Sequence, residues 1–94
     1  MIIIAGYTLS DAGKRDAAVA AFADMVARAR KFDGCLDFSV SADSADPERA
    51  NLFECWRDQK ALNAWRKVAK ARSRSKPREV NVKLYRTEKA EKPF

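Results

Sequence analysis

The feature that most limits the folds open to this chain is the order of its hydrophobic periodicities: strand, helix, strand, strand, helix, strand. Residues 2–9 are apolar, β-branched or aromatic at both parities, as in a strand covered on both faces. Ser10-Asp11-Ala12-Gly13 supplies turn chemistry. Residues 14–31 then place Ala18, Phe22, Met25, Val26 and Ala29 on one helical stripe, with Lys14, Arg15, Asp24, Arg28 and Lys31 left for solvent. Asp33-Gly34 closes this helix, because glycine tolerates the left-handed conformation favoured just past a helix end. In residues 35–41, Leu36, Phe38 and Val40 alternate with Asp37, Ser39 and Ser41, so the first set is expected to need a dry core. A turn-rich loop ending at Pro47 leads to a third strand over 49–56, bulky at both parities. Asp58 can cap a helix over 59–69 that turns Leu62, Trp65 and Ala69 inward. After a basic stretch broken at 73–77, Val80, Val82 and Leu84 restore strand alternation to about Arg86, and residues 87–94 read as a tail.

This order, with a hairpin at its centre, is the split βαβ pattern of ferredoxin-like α+β domains. It predicts an antiparallel four-stranded sheet with two helices on one face. A chain of 94 residues suffices for one domain, taken as 1–94, and its 47% hydrophobic and 34% charged residues favour a packed core over disorder. Two helices cover one sheet face only, yet the first and third strands are apolar on both. A symmetric sheet-to-sheet homodimer, a dimeric α+β barrel, is the expected cover. Long basic side chains folded over the open face of a monomer are the alternative.

Histidine is absent, which excludes serine–histidine and cysteine–histidine catalysis and haem held by a proximal histidine. Two separated cysteines and no carboxylate cluster argue against zinc, and no glycine-rich cofactor loop is present, so neither metal, haem nor flavin is expected. Residues 1–6 lack the character of a signal peptide and no run reaches membrane-spanning length. A cytoplasmic location with Cys35 and Cys55 reduced, acting as packing residues, is therefore expected.

Gly34-Cys35-Leu36-Asp37-Phe38, Asp46-Pro47, Asn51-Leu52-Phe53-Glu54-Cys55-Trp56-Arg57-Asp58 and Ala61-Leu62 together resemble the antibiotic biosynthesis monooxygenase family. That family carries a glycine-cysteine-leucine turn into strand two and a glutamate-x-tryptophan strand end before helix two. The resemblance implies a dimeric ferredoxin-like fold with a pocket between sheet and helices. It also implies cofactor-independent oxidation of electron-rich aromatics such as polyketide anthrones or quinols. Trp65 resembles a helix-two tryptophan of the haem-degrading branch, but the histidine that branch needs is missing.

Such chemistry asks for a dry pocket with a few donors for a substrate oxyanion. Tyr7, Trp65 and Tyr85 combine apolar bodies with polar handles, and Arg66 or Arg86 can supply positive charge. Trp65 falls on the inward stripe of Leu62, and Tyr7 and Tyr85 are placed in two strands expected to be central neighbours. Plain core packing is the alternative for all three aromatics. Asp37 can serve as a base only if desolvated, and Trp56 reads as structural. The run Arg66, Lys67, Lys70, Arg72, Arg74, Lys76 and Arg78 is a solvated flank or an anion-attracting patch. A nucleic-acid module of RNA-recognition-like topology is a second function class. It is disfavoured by the glycine-free, glutamate-bearing third strand. A catalytically silent small-molecule-binding protein is the third.

Overall fold

The structure is a computed structural model that describes residues 1–70 and 76–94. Its elements are β1 (Ile2–Leu9), α1 (Arg15–Ala21), α2 (Ala23–Arg30), β2 (Cys35–Ala42), β3 (Arg49–Trp56), α3 (Gln59–Val68) and β4 (Glu79–Arg86). The strands form one antiparallel sheet in the order β2-β3-β1-β4, the expected ferredoxin-like split βαβ arrangement. Of the basic run, Arg72 and Arg74 lie outside the described residues, as does most of the predicted break at 73–77.

Residues paired across antiparallel strands share a face. Ile2 pairs with Trp56, Ile4 with Glu54 and Phe38 with Glu54, and all but the glutamate belong to the buried cluster with Ala29, Ala61, Leu62 and Trp65. Even-numbered residues of β1 and β3 therefore face the helices. The odd-numbered set, Ile3, Ala5, Tyr7 and Leu9 with Phe53 and Cys55, faces the open side.

The first helix is not continuous. Phe22 N–H bonds to the Val19 carbonyl three residues back, a 3₁₀-type closure that separates α1 from α2. The expected stripe nevertheless survives the break: Ala29 is fully buried and Met25 and Val26 pack against the core. Arg15 secures the other end of this helical layer, donating from Nη1 to the Asp46 and Arg49 carbonyls at 3.0 and 2.9 Å and so holding the β2–β3 loop.

Gly34 has φ +90° and its carbonyl accepts from Arg57 N–H at 2.8 Å, which turns the chain into β2 hard against Ala61 of α3. Asp58 caps α3 as expected, its carboxylate accepting from Ala61 N–H at 2.8 Å, a contact of about 1 kcal/mol.

Two expectations about strands need correction. Leu36 is 57% exposed because a register shift between Cys35 and Asp37 breaks the alternation, and Cys35 packs against the core instead. β1 is central, but β4 is the sheet edge, so Val80 and Leu84 remain exposed there. No helix among the described residues is long and apolar enough to cross a membrane.

Candidate functional site

Between α1–α2 and the sheet lies a cavity of about 200 Å³. Ala18, Val19, Phe22 and Met25 wall it from both sides of the helix break, and Phe38, Val40, Leu52 and Thr8 come from the strands. The same stripe that buries Ala29 at the end of α2 thus leaves a gap further back, where Ala18 and Val19 face the sheet. Glu54 is the one ionisable side chain among the described residues lining it.

Glu54 is there because β3 continues its inward parity, Leu52-Glu54-Trp56, through an acid. Trp56 Nε1–H donates to Glu54 Oε1 at 3.0 Å. Burial pushes the Glu54 carboxyl above the usual carboxylate range, while the Trp56 hydrogen bond and the positive charge of Arg66 pull it back. The indole is itself immobilised: Trp56 is fully buried, stacked on Trp65 at 5.9 Å and set edge-on to Phe32 and Phe38 at 6.3 and 6.5 Å.

The predicted site residues do not assemble into one site. Trp65 is 4% exposed in this aromatic cluster and does not line the cavity, although Phe38, whose ring lies 6.1 Å away, does. Arg28 sits over its ring at 5.6 Å. Tyr7 and Tyr85 are on the opposite, open face of the sheet, since Tyr7 pairs with Asn51 and Asn81 and Tyr85 pairs with Ile3. The Tyr7 hydroxyl accepts from Asn81 Nδ2 at 3.1 Å, and Arg49 covers its ring at 4.0 Å. The grouping of Trp65 with Tyr7 or Tyr85 is therefore corrected by strand parity. Arg66 is exposed on α3, close enough to act on Glu54 through its charge. Arg86 lines a separate surface cleft with Met1, Ile2, Asp58 and Gln59. Asp37 is exposed and accepts from Phe38 N–H at 2.9 Å. Cys35 and Cys55 are unbridged, and burial pushes both thiols up, away from reactivity. Arg78, at the end of the basic run, pairs with Glu48 at 3.2 Å.

Glu54 is the site residue that sequence reasoning missed. Its signal was present: an acid between Leu52 and Trp56 at the parity that serves the core.

The split βαβ sheet, with helices on one face walling an apolar, carboxylate-bearing cavity, is a ferredoxin-like α+β fold. Residues 1–73 match the sequence profile of the antibiotic biosynthesis monooxygenase family, and the chain belongs to that family. Among solved structures, a candidate antibiotic biosynthesis monooxygenase from Nitrosomonas europaea is similar at 20% identity and TM-score 0.72, with 93% of this chain and 98% of that one covered. A protein from Pseudomonas aeruginosa is similar at 23% identity and TM-score 0.72, with 96% and 93% covered. A further such candidate from Deinococcus radiodurans shows 18% identity, the same TM-score, and coverage of 100% and 99%. These likenesses concern the fold. No curated protein matches the sequence.

Proposed function

We propose that this protein is a cofactor-independent monooxygenase acting on a small quinol or related hydroxyaromatic held in the α1–α2 cavity. The observation that carries the reading is an apolar cavity with one carboxylate, that of Glu54, on its wall among the described residues. About 200 Å³ falls below the usual range for drug-sized ligands, which favours one or two fused rings over a larger polyketide. For a quinol the overall reaction balances with dioxygen as the oxidant: one oxygen atom enters the ring, the other leaves as water, and the substrate supplies four electrons.

Ala18→Trp fills the cavity from the helix side. It is expected to lower quinol-dependent oxygen consumption at least about tenfold while the fold persists, a loss of about 1.4 kcal/mol in transition-state stabilisation. Oxygen-electrode assays with a panel of quinols check this. Unchanged turnover in Ala18→Trp would move the site elsewhere, whereas binding without oxygen uptake in the wild type would make the protein a silent binder.

We also propose a homodimer formed through the open sheet face, where Ile3, Tyr7, Phe53 and the half-exposed Tyr85 stand uncovered by helices. Light scattering at micromolar concentration is expected to return the mass of two chains, and Phe53→Lys that of one. A stable wild-type monomer would refute the proposal.

A further inference from the structure

The two oxygens of Glu54 are not equivalent. Oε1 is held by the Trp56 indole, and among the described residues that is the one hydrogen bond the carboxylate makes. β3 is a central strand, and the neighbouring strands present Ile4 and Phe38 opposite Glu54. From α1, α2 and the break between them, Ala18, Val19, Phe22 and Met25 reach this space. Among the described residues, Arg66 on α3 and the Cys35 thiol on β2 are the charged or titratable groups that act on or with Glu54 from the elements around it. An acid in such surroundings, anchored at one oxygen and with no hydrogen-bond partner at the other among the described residues, is arranged to exchange a proton with a guest.

We propose that Glu54 is the general base of this site, its Oε2 taking the hydroxyl proton of a small phenol or enol seated against Phe22, Phe38 and Met25. This deepens the monooxygenase reading and rests on the cavity being the substrate site. In the step, the substrate O–H bond breaks, a new O–H bond forms on the carboxylate, and the electron pair stays on the substrate oxygen. The electron-rich oxyanion so formed is the species that dioxygen oxidises. Burial serves the step by raising the affinity of the carboxylate for a proton towards that of a phenol, so the proton moves less far uphill. Because the base must be ionised, turnover rises with pH through a limb displaced above the ordinary carboxylate range.

The test uses 4-nitrophenol, whose absorption distinguishes phenol from phenolate, titrated into wild type, Glu54→Gln and Glu54→Asp. Wild type is expected to bind the neutral dye with its O–H donated to Glu54 Oε2, which moves the absorption towards that of the phenolate. Glu54→Gln keeps the shape and a carbonyl for the Trp56 donor, so it binds the dye without that shift. Glu54→Asp, still an acid, restores it. With an oxidisable quinol, Glu54→Gln is expected to lose about 10²-fold in turnover together with the pH limb. Equal absorption shifts and equal turnover in wild type and Glu54→Gln would overturn the base while leaving the cavity as the binding site. Failure of wild type to bind dye or quinol would instead remove the cavity reading, and the base with it.

Discussion

Gly6→Ala is expected to detach β4 and lower stability by on the order of 3 kcal/mol. Gly6 has φ +154°, and a Cβ built there overlaps the Asn81 carbonyl oxygen, with Val82 Cα at 2.7 Å and the Asn81 carbonyl carbon at 2.9 Å. These are backbone atoms of the paired strand, so no rotamer change relieves the clash. The edge must move, and with it go the Ile4–Leu84 pairing and the Asn81 hydrogen bond to Tyr7. Gly13 is the control. It has φ +80° but nothing within 4 Å of an added Cβ, so Gly13→Ala is expected to cost only the left-handed backbone, about 1–2 kcal/mol. Urea unfolding of the two variants separates them. Equal losses would mean that the β1–β4 contact is not tight at Gly6.

Most of the fold was legible because its signals are local. The order of periodicities, Asp58 three residues before Ala61, and Gly34 after the helix each determine structure within one turn or one strand. What failed depended on pairing. Leu36 alternates correctly with Phe38 and Val40, and only the register shift against β3 expels it. The break at Phe22 comes with no proline or glycine to announce it. Placing β4 beside β1 was within reach, but treating both as central overlooked that the last strand of this topology closes an edge.

The site was less legible for a related reason. β1 is apolar at both parities, so periodicity alone does not say whether Tyr7 or its neighbours meet the helices. The register decides it through Ile2 and Ile4, and that places Tyr7 and Tyr85 opposite Trp65. Trp65 followed the inward stripe of Leu62 as expected, yet inward led to Trp56, Phe32 and Phe38 and not to the cavity. Glu54 was read as a mark against RNA binding, when its parity with Leu52 and Trp56 already carried it to the helix side.

Substitution of Trp56 tests both the core and the carboxylate. Trp56→Ala removes a fully buried ring from a four-aromatic cluster and is expected to cost about 3–5 kcal/mol, a large share of the stability of a domain this size. Trp56→Phe keeps most of that packing, costs about 1–3 kcal/mol, and removes the Nε1–H that Glu54 Oε1 accepts. That hydrogen bond favours the ionised form, so its loss lets burial raise the Glu54 proton affinity further. The sign of the stability effect follows. Glu54 already binds its proton more tightly folded than unfolded, so stability falls as pH rises from the unfolded carboxyl value, about 4.3, to the folded one. In Trp56→Phe the fall continues to higher pH, and the gap from wild type widens across that interval before levelling. Urea midpoints measured from pH 4 to 8 are expected to show this widening, with the acid limb of turnover displaced to higher pH by the same substitution. A gap that stays constant with pH would show that the indole does not hold the Glu54 carboxylate, and would leave Trp56 with packing alone.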